Sequence, residues 1–154
     1  VPVLTLLETR VELRRPGRTR WVAAGRIHRA DGSLDLMPTE TITRLRVPLS
    51  QWTQQVFRRF GSELAPDSDP LTFCGLVRSS NRILEEIRLV GSAGTARLIR
   101  NKNMEAELVG RRLPLGPRDV RQALELFGEP DTELSSIQRA RMRRLVMWFL
   151  LSLM

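Results

Sequence analysis

The stretch Asp69–Gly91 constrains the fold of this chain more than any other. Its first part, Leu71–Val77, is an almost unbroken apolar run. It opens directly after the Pro-, Asp- and Ser-rich segment 62–70, so it reads as a short buried element bounded by a loop. The second part, Asn81–Val90, fits either a strand or a helix, and periodicity does not choose between them. Gly91-Ser92-Ala93-Gly94 then supplies a flexible turn. Beyond it, residues 95–100 and 104–109 are expected to pair as a hairpin across Asn101-Lys102-Asn103.

Upstream, Leu4, Leu6, Thr9, Val11 and Leu13 alternate with charges and predict a strand over residues 3–13. Pro16-Gly17 marks a turn, and residues 20–30 form a second strand candidate. Asp31-Gly32 is a two-residue hairpin signal, so residues 33–47 are expected to return antiparallel. Ser50 is a plausible N-cap for a helix that carries Trp52, Val56, Phe57 and Phe60 on one face and stops at Gly61. Downstream, one helix is expected from Pro117 to Gly128, with Val120, Ala123, Leu124 and Phe127 apolar. A second runs from about Thr132 to the C-terminus, capped by Thr132-Glu133 or by Ser135. The sum is an α+β fold, an antiparallel β-sheet with packed helices, comprising residues 1–115 and a helical C-terminal appendage, 116–154.

A chain of 154 residues with 42% hydrophobic and 27% charged content can bury a core as one domain. Its net charge of +8 is carried almost wholly by arginine, Lys102 being the single lysine, and it permits an anionic partner. The arginines are scattered, however. The two denser patches, 14–20 and 139–144, are not interleaved with aromatics and the chain has no Tyr, so nucleic acid is not expected. Cys74, the only cysteine, excludes an internal disulfide and a cysteine-rich zinc site, and in its apolar run it reads as a buried hydrophobe. The sparse set His28, Asp31 and Asp35 gives no reason to expect a metal. The first residues alternate and carry charge too early for a signal peptide, so a cytoplasmic setting is expected.

On strand 20–30, alternation places Val22, Ala24, Arg26 and His28 on one face, the composition of a half-buried anion site. Four segments follow one another in order: Gly25-Arg26-Ile27-His28-Arg29-Ala30-Asp31-Gly32; Thr39-Glu40-Thr41-Ile42; Asp69-Pro70-Leu71 with Gly75-Leu76-Val77, continued by Asn81-Arg82 and Glu85-Glu86-Ile87; and the expected hairpin over residues 95–110. In that order the chain resembles the chorismate lyase family and the related ligand-sensing domain of bacterial repressors, over residues 3–113. The resemblance implies a chorismate-lyase-like fold and a cofactor-independent carbon–oxygen lyase that eliminates pyruvate from chorismate to leave 4-hydroxybenzoate. Without its acid, the same fold would be a small-molecule-sensing or interaction domain.

The implied partner is a small-molecule carboxylate gripped by Arg26, with His28, Gly75 and Leu76 contributing to its site. Catalysis would rest on Arg26 and on Glu107 as proton donor. The family's position for that acid falls near Val109, with Glu105 and Glu107 on the same expected strand face. No cofactor is implied. The tail 139–154, basic and then apolar from Leu145, is expected to dock on the sheet, to drive self-association, or to touch a membrane surface as a peripheral anchor. It is too short to span a bilayer.

Overall fold

The computed structural model describes residues 1–29, 33–61, 70–93, 97–127 and 134–154. Pro2–Leu6 forms a short helix, α1, where the alternation predicts a strand, and Pro2 in its first turn pre-sets the helical φ. Strand β1 (Arg10–Arg15) follows, and a tight turn with Gly17 at φ +73° leads to β2 (Arg18–Ala23). The predicted strand 20–30 ends early, because a 3-10 turn, Ala24–Arg26, breaks it. Strand β3 (Thr41–Arg46) pairs antiparallel with β1 and not with β2, giving the order β2-β1-β3. The expected hairpin at Asp31-Gly32 lies outside the described residues. Beside it, an isolated antiparallel bridge joins His28 to Leu34.

The second sheet is antiparallel, in the order β4-β5-β6-β7, from Gln54–Phe60, Leu71–Ser80, Ile83–Ala93 and Arg97–Ile99. Leu71–Val77 is buried throughout, as its apolar run predicts, and Asn81–Val90 resolves as a strand. Two expectations fail here. The aromatic spacing over 52–60 predicts a helix, but Val56 and Phe57 lie in β4, paired with Gly75 and Cys74. β-favouring residues beside an apolar strand gain more from pairing than from a lone helix.

Residues 104–109 do not return as a strand. Asn101 accepts a hydrogen bond from Met104 N at 3.0 Å and so caps a helix, α2 (Lys102–Leu108), which buries Met104, Glu105 and Leu108. The three residues read as a turn are thus a helix start.

Helices α3 (Pro117–Phe127) and α4 (Ser136–Leu151) complete the α+β fold, α4 beginning at a capping box between Ser135 and Gln138. Phe73, Val77 and Leu89 from the sheet meet Met104, Leu108, Val120, Leu124, Val146, Phe149 and Leu150 from the helices in the largest core cluster. The apolar end of the tail therefore docks on this chain's own sheet. Trp148, Leu151 and Met154 stay exposed.

Candidate functional site

The chemistry-bearing side chains gather where α1 lies against β5 and β6. Arg100 leaves β7 and meets the Glu105 carboxylate twice, Nε to Oε1 and Nη2 to Oε2, both at 2.9 Å. Its Nη1 donates to Thr5 O at 3.4 Å and its Nη2 to Glu8 Oε1 at 3.3 Å. Glu105 Oε1 also accepts from Leu89 N at 2.9 Å, so this buried carboxylate is paired on every side described. Next to it, Arg88 donates to Leu6 O at 3.1 Å and to Glu86 Oε1 at 2.8 Å, and lies 4.9 Å over the Trp52 ring. Two guanidinium groups thus reach carbonyls at the end of α1, Leu6 O and Thr5 O, the latter also accepting from Glu8 N at 3.0 Å.

Alongside this network, α1, β4 and β5 frame a cavity of about 370 Å³ lined by Val3, Leu6, Leu7, Gln55, Val56, Phe57, Cys74 and Leu76. Gln55 is the one polar lining side chain. Burial pushes the Cys74 thiol up to about 11, so it stays protonated near neutrality and is no nucleophile. The cavity can hold an apolar group; it has no charged side chain in its wall with which to grip a carboxylate.

The residues predicted from sequence fall in separate places. Arg26 ends the 3-10 turn and is exposed, and His28 is half-buried at its bridge to Leu34. Gly75 and Leu76 lie in β5, Leu76 lining the cavity and Gly75 packed against Phe149. Glu107 is exposed on α2, 3.5 Å from the Gln122 amide, and lines a different, open depression with Ala106, Val109, Gly110 and Arg111. Neither Arg26 nor His28 lines either space. The arginines that do organise this region, Arg88 and Arg100, carry no local motif. Their partners in α1 lie about eighty or more positions away in sequence, so only the fold reveals them.

Among the described residues no three His, Cys, Asp or Glu side chains are placed to hold a metal ion. No helix among them is long and apolar enough to cross a membrane.

No family model matches the chain, and no curated protein matches it. Solved structures do. Carbon monoxide dehydrogenase from Hydrogenophaga pseudoflava superposes with a TM-score of 0.74 at 17% identity, over 96% of this chain and 53% of that one. Carbon monoxide dehydrogenase from Oligotropha carboxidovorans gives 0.73 at 16%, over 99% and 54%. Quinoline 2-oxidoreductase from Pseudomonas putida 86 gives 0.71 at 15%, over 97% and 53%. The chain spans about half the length of these structures, and at such identities the likeness is one of fold.

It overturns the chorismate lyase resemblance, and with it the pyruvate-eliminating function and the 4-hydroxybenzoate product. The four short segments that carried the resemblance are each too common to fix a fold. The hairpin strand meant to present Glu107 is a helix. A small-molecule carboxylate as partner loses its support on the same grounds.

Proposed function

We propose that this chain is a supporting domain of an oxidoreductase, one part of a larger unit that holds a redox group against other polypeptide. The observation that carries this reading is the likeness, over nearly all of this chain, to about half of each of several oxidoreductase chains. Its own side chains cannot supply the electron chemistry, because the only thiol is buried and protonated. Such chemistry needs a bound group, for example an organic carrier such as a flavin.

The described residues do not by themselves fit a flavin dinucleotide. A pyrophosphate needs a cradle of backbone N–H groups at a glycine-rich turn, and the sequence contains no such fingerprint. The cavity beside Cys74 offers apolar wall and one amide. No step is therefore derived through a flavin, and the role proposed for this chain is to brace a site whose phosphate-binding part lies on other polypeptide.

A row of exposed apolar side chains supports such a contact. Leu34, Met37, Ile42, Leu45, Val47 and Leu49 all stand in solvent between residues 34 and 49, Leu49 at 95% exposure. Ile42 and Leu45 belong to β3, which is an edge strand of its sheet among the described residues.

The test is to isolate the native assembly that contains this chain and measure its flavin and metal content. Its absorbance is then followed anaerobically on adding carbon monoxide or a nitrogen heterocycle. A flavin retained by the assembly and lost from the purified chain supports the reading. An assembly with no redox-active group removes it.

A further inference from the structure

The outer face of the β2-β1-β3 sheet carries a charge pattern that neither the core nor the proposed function uses. Alternation puts Arg10, Glu12 and Arg14 on the face opposite the buried Val11 and Leu13. The register sets Trp21 and Arg44 beside Glu12, and Arg46 beside Arg10. Arg46 reaches across β1 until its guanidinium carbon lies 4.7 Å from the centre of the Trp21 ring, which makes these residues one surface. Glu12, the only carboxylate on the three strands, is 8% exposed and already accepts a 2.6 Å hydrogen bond from Thr43 Oγ1. Its ion-pair partner among the described residues is Arg44, at 3.9 Å. Arg10, Arg14 and Arg46 are exposed, and no carboxylate among the described residues lies within ion-pair distance of them.

We infer that this face docks an acidic protein surface, whose carboxylates are held by Arg10, Arg14 and Arg46 around Trp21. Like charges on one small face repel until an opposite partner arrives, and the planar guanidinium fork binds carboxylates two-point. Arginine and tryptophan together are the residue types that dominate binding energy at protein interfaces. A second copy is the wrong occupant, since a two-fold contact would set arginine against arginine. Nucleic acid fits less well. The single aromatic is already stacked under Arg46, which leaves no platform for bases. The inference stands apart from the redox reading.

The test uses the full chain with poly-L-glutamate as probe and single-stranded DNA as its comparison. One triple variant is Arg10→Ser/Arg14→Ser/Arg46→Ser. A control removes the same charge elsewhere, Arg118→Ser/Arg121→Ser/Arg143→Ser, at exposed positions on α3 and α4. The face variant should bind poly-L-glutamate about tenfold more weakly, with a shallower salt dependence, and the control should stay near wild type. Should the face variant fail to fold by circular dichroism, Arg→Lys at the three positions keeps the charge, removes the fork, and should still weaken binding severalfold. Equal weakening in face and control variants overturns the inference, as would tighter binding of the DNA that is lost only in the face variant.

Discussion

Phe149 occupies the space that a side chain at residue 75 would need. A Cβ built on Gly75 would lie 2.7 Å from the ring's Cε1, 2.9 Å from its Cζ and 3.1 Å from Leu89 Cδ2. The ring is fully buried and meets Phe73 edge-on at 5.9 Å between centroids, so it has little freedom to withdraw. Gly75→Ala is therefore expected to destabilise the fold by about 1–3 kcal/mol through overpacking. Phe149→Ala should cost about 3–5 kcal/mol through the cavity it leaves. Urea unfolding of the two variants measures both.

The same contact ties the tail to the main core. Removal of residues 139–154 takes away Met142, Val146, Phe149, Leu150 and Leu153, all in the main core cluster. The prediction is loss of cooperative unfolding by circular dichroism. A soluble sheet that survives the deletion would show that α4 is an appendage after all.

Arg100 and Glu105 form a polar pair with side chains only 13% and 9% exposed. Arg100→Met leaves Glu105 as a buried charge without its main partner and is expected to cost about 3–5 kcal/mol. Adding Glu105→Gln keeps an acceptor for Leu89 N while removing the charge, so the double variant should be more stable than Arg100→Met alone. Chemical denaturation of the cycle decides it.

Arg20 donates from Nε and Nη2 to the two oxygens of Glu40, each at 2.8 Å, and Met37 N donates to Oε2 at 2.9 Å. The Arg20 hydrogen bonds first, and then that from Met37, lower the Glu40 carboxyl to about 2, against an ordinary value of 4.5. A folded pKa below the unfolded one means stability that is whole above pH 4.5 and is lost as pH falls from 4.5 towards about 2. Melting temperature against pH should fall across that window in the wild type. In Glu40→Gln it should start lower and fall less.

Cys74 is 1% exposed and its thiol is pushed up to about 11 by burial. A thiol-specific disulfide reagent at mildly alkaline pH should leave it unmodified in the native protein and react stoichiometrically once the chain is unfolded. Rapid modification of the native chain would mean that the wall of the neighbouring cavity opens.

What could be read from sequence follows the range of the forces involved. The run Leu71–Val77, the cap at Ser135 and the apolar positions of α3 are local signals, and each sits as its pattern says. The spacing of Trp52, Val56, Phe57 and Phe60 misleads because pairing with β5 overrides it. Asn101 misleads because one residue type serves both turns and N-caps. The clamp of Arg88 and Arg100 on α1 depends on contacts across most of the chain and leaves no trace in local pattern. Alternation predicts Arg26 on a strand face, and that face ends where the strand stops at Ala23.

The most direct test of the central claim is anaerobic reduction of the native assembly that contains this chain. The account predicts a bound flavin in that assembly, which a chemical reductant bleaches. It also predicts that the flavin is lost when this chain is separated from the rest. An assembly that carries no redox-active group, or whose flavin stays fully bound and reducible without this chain, would contradict it.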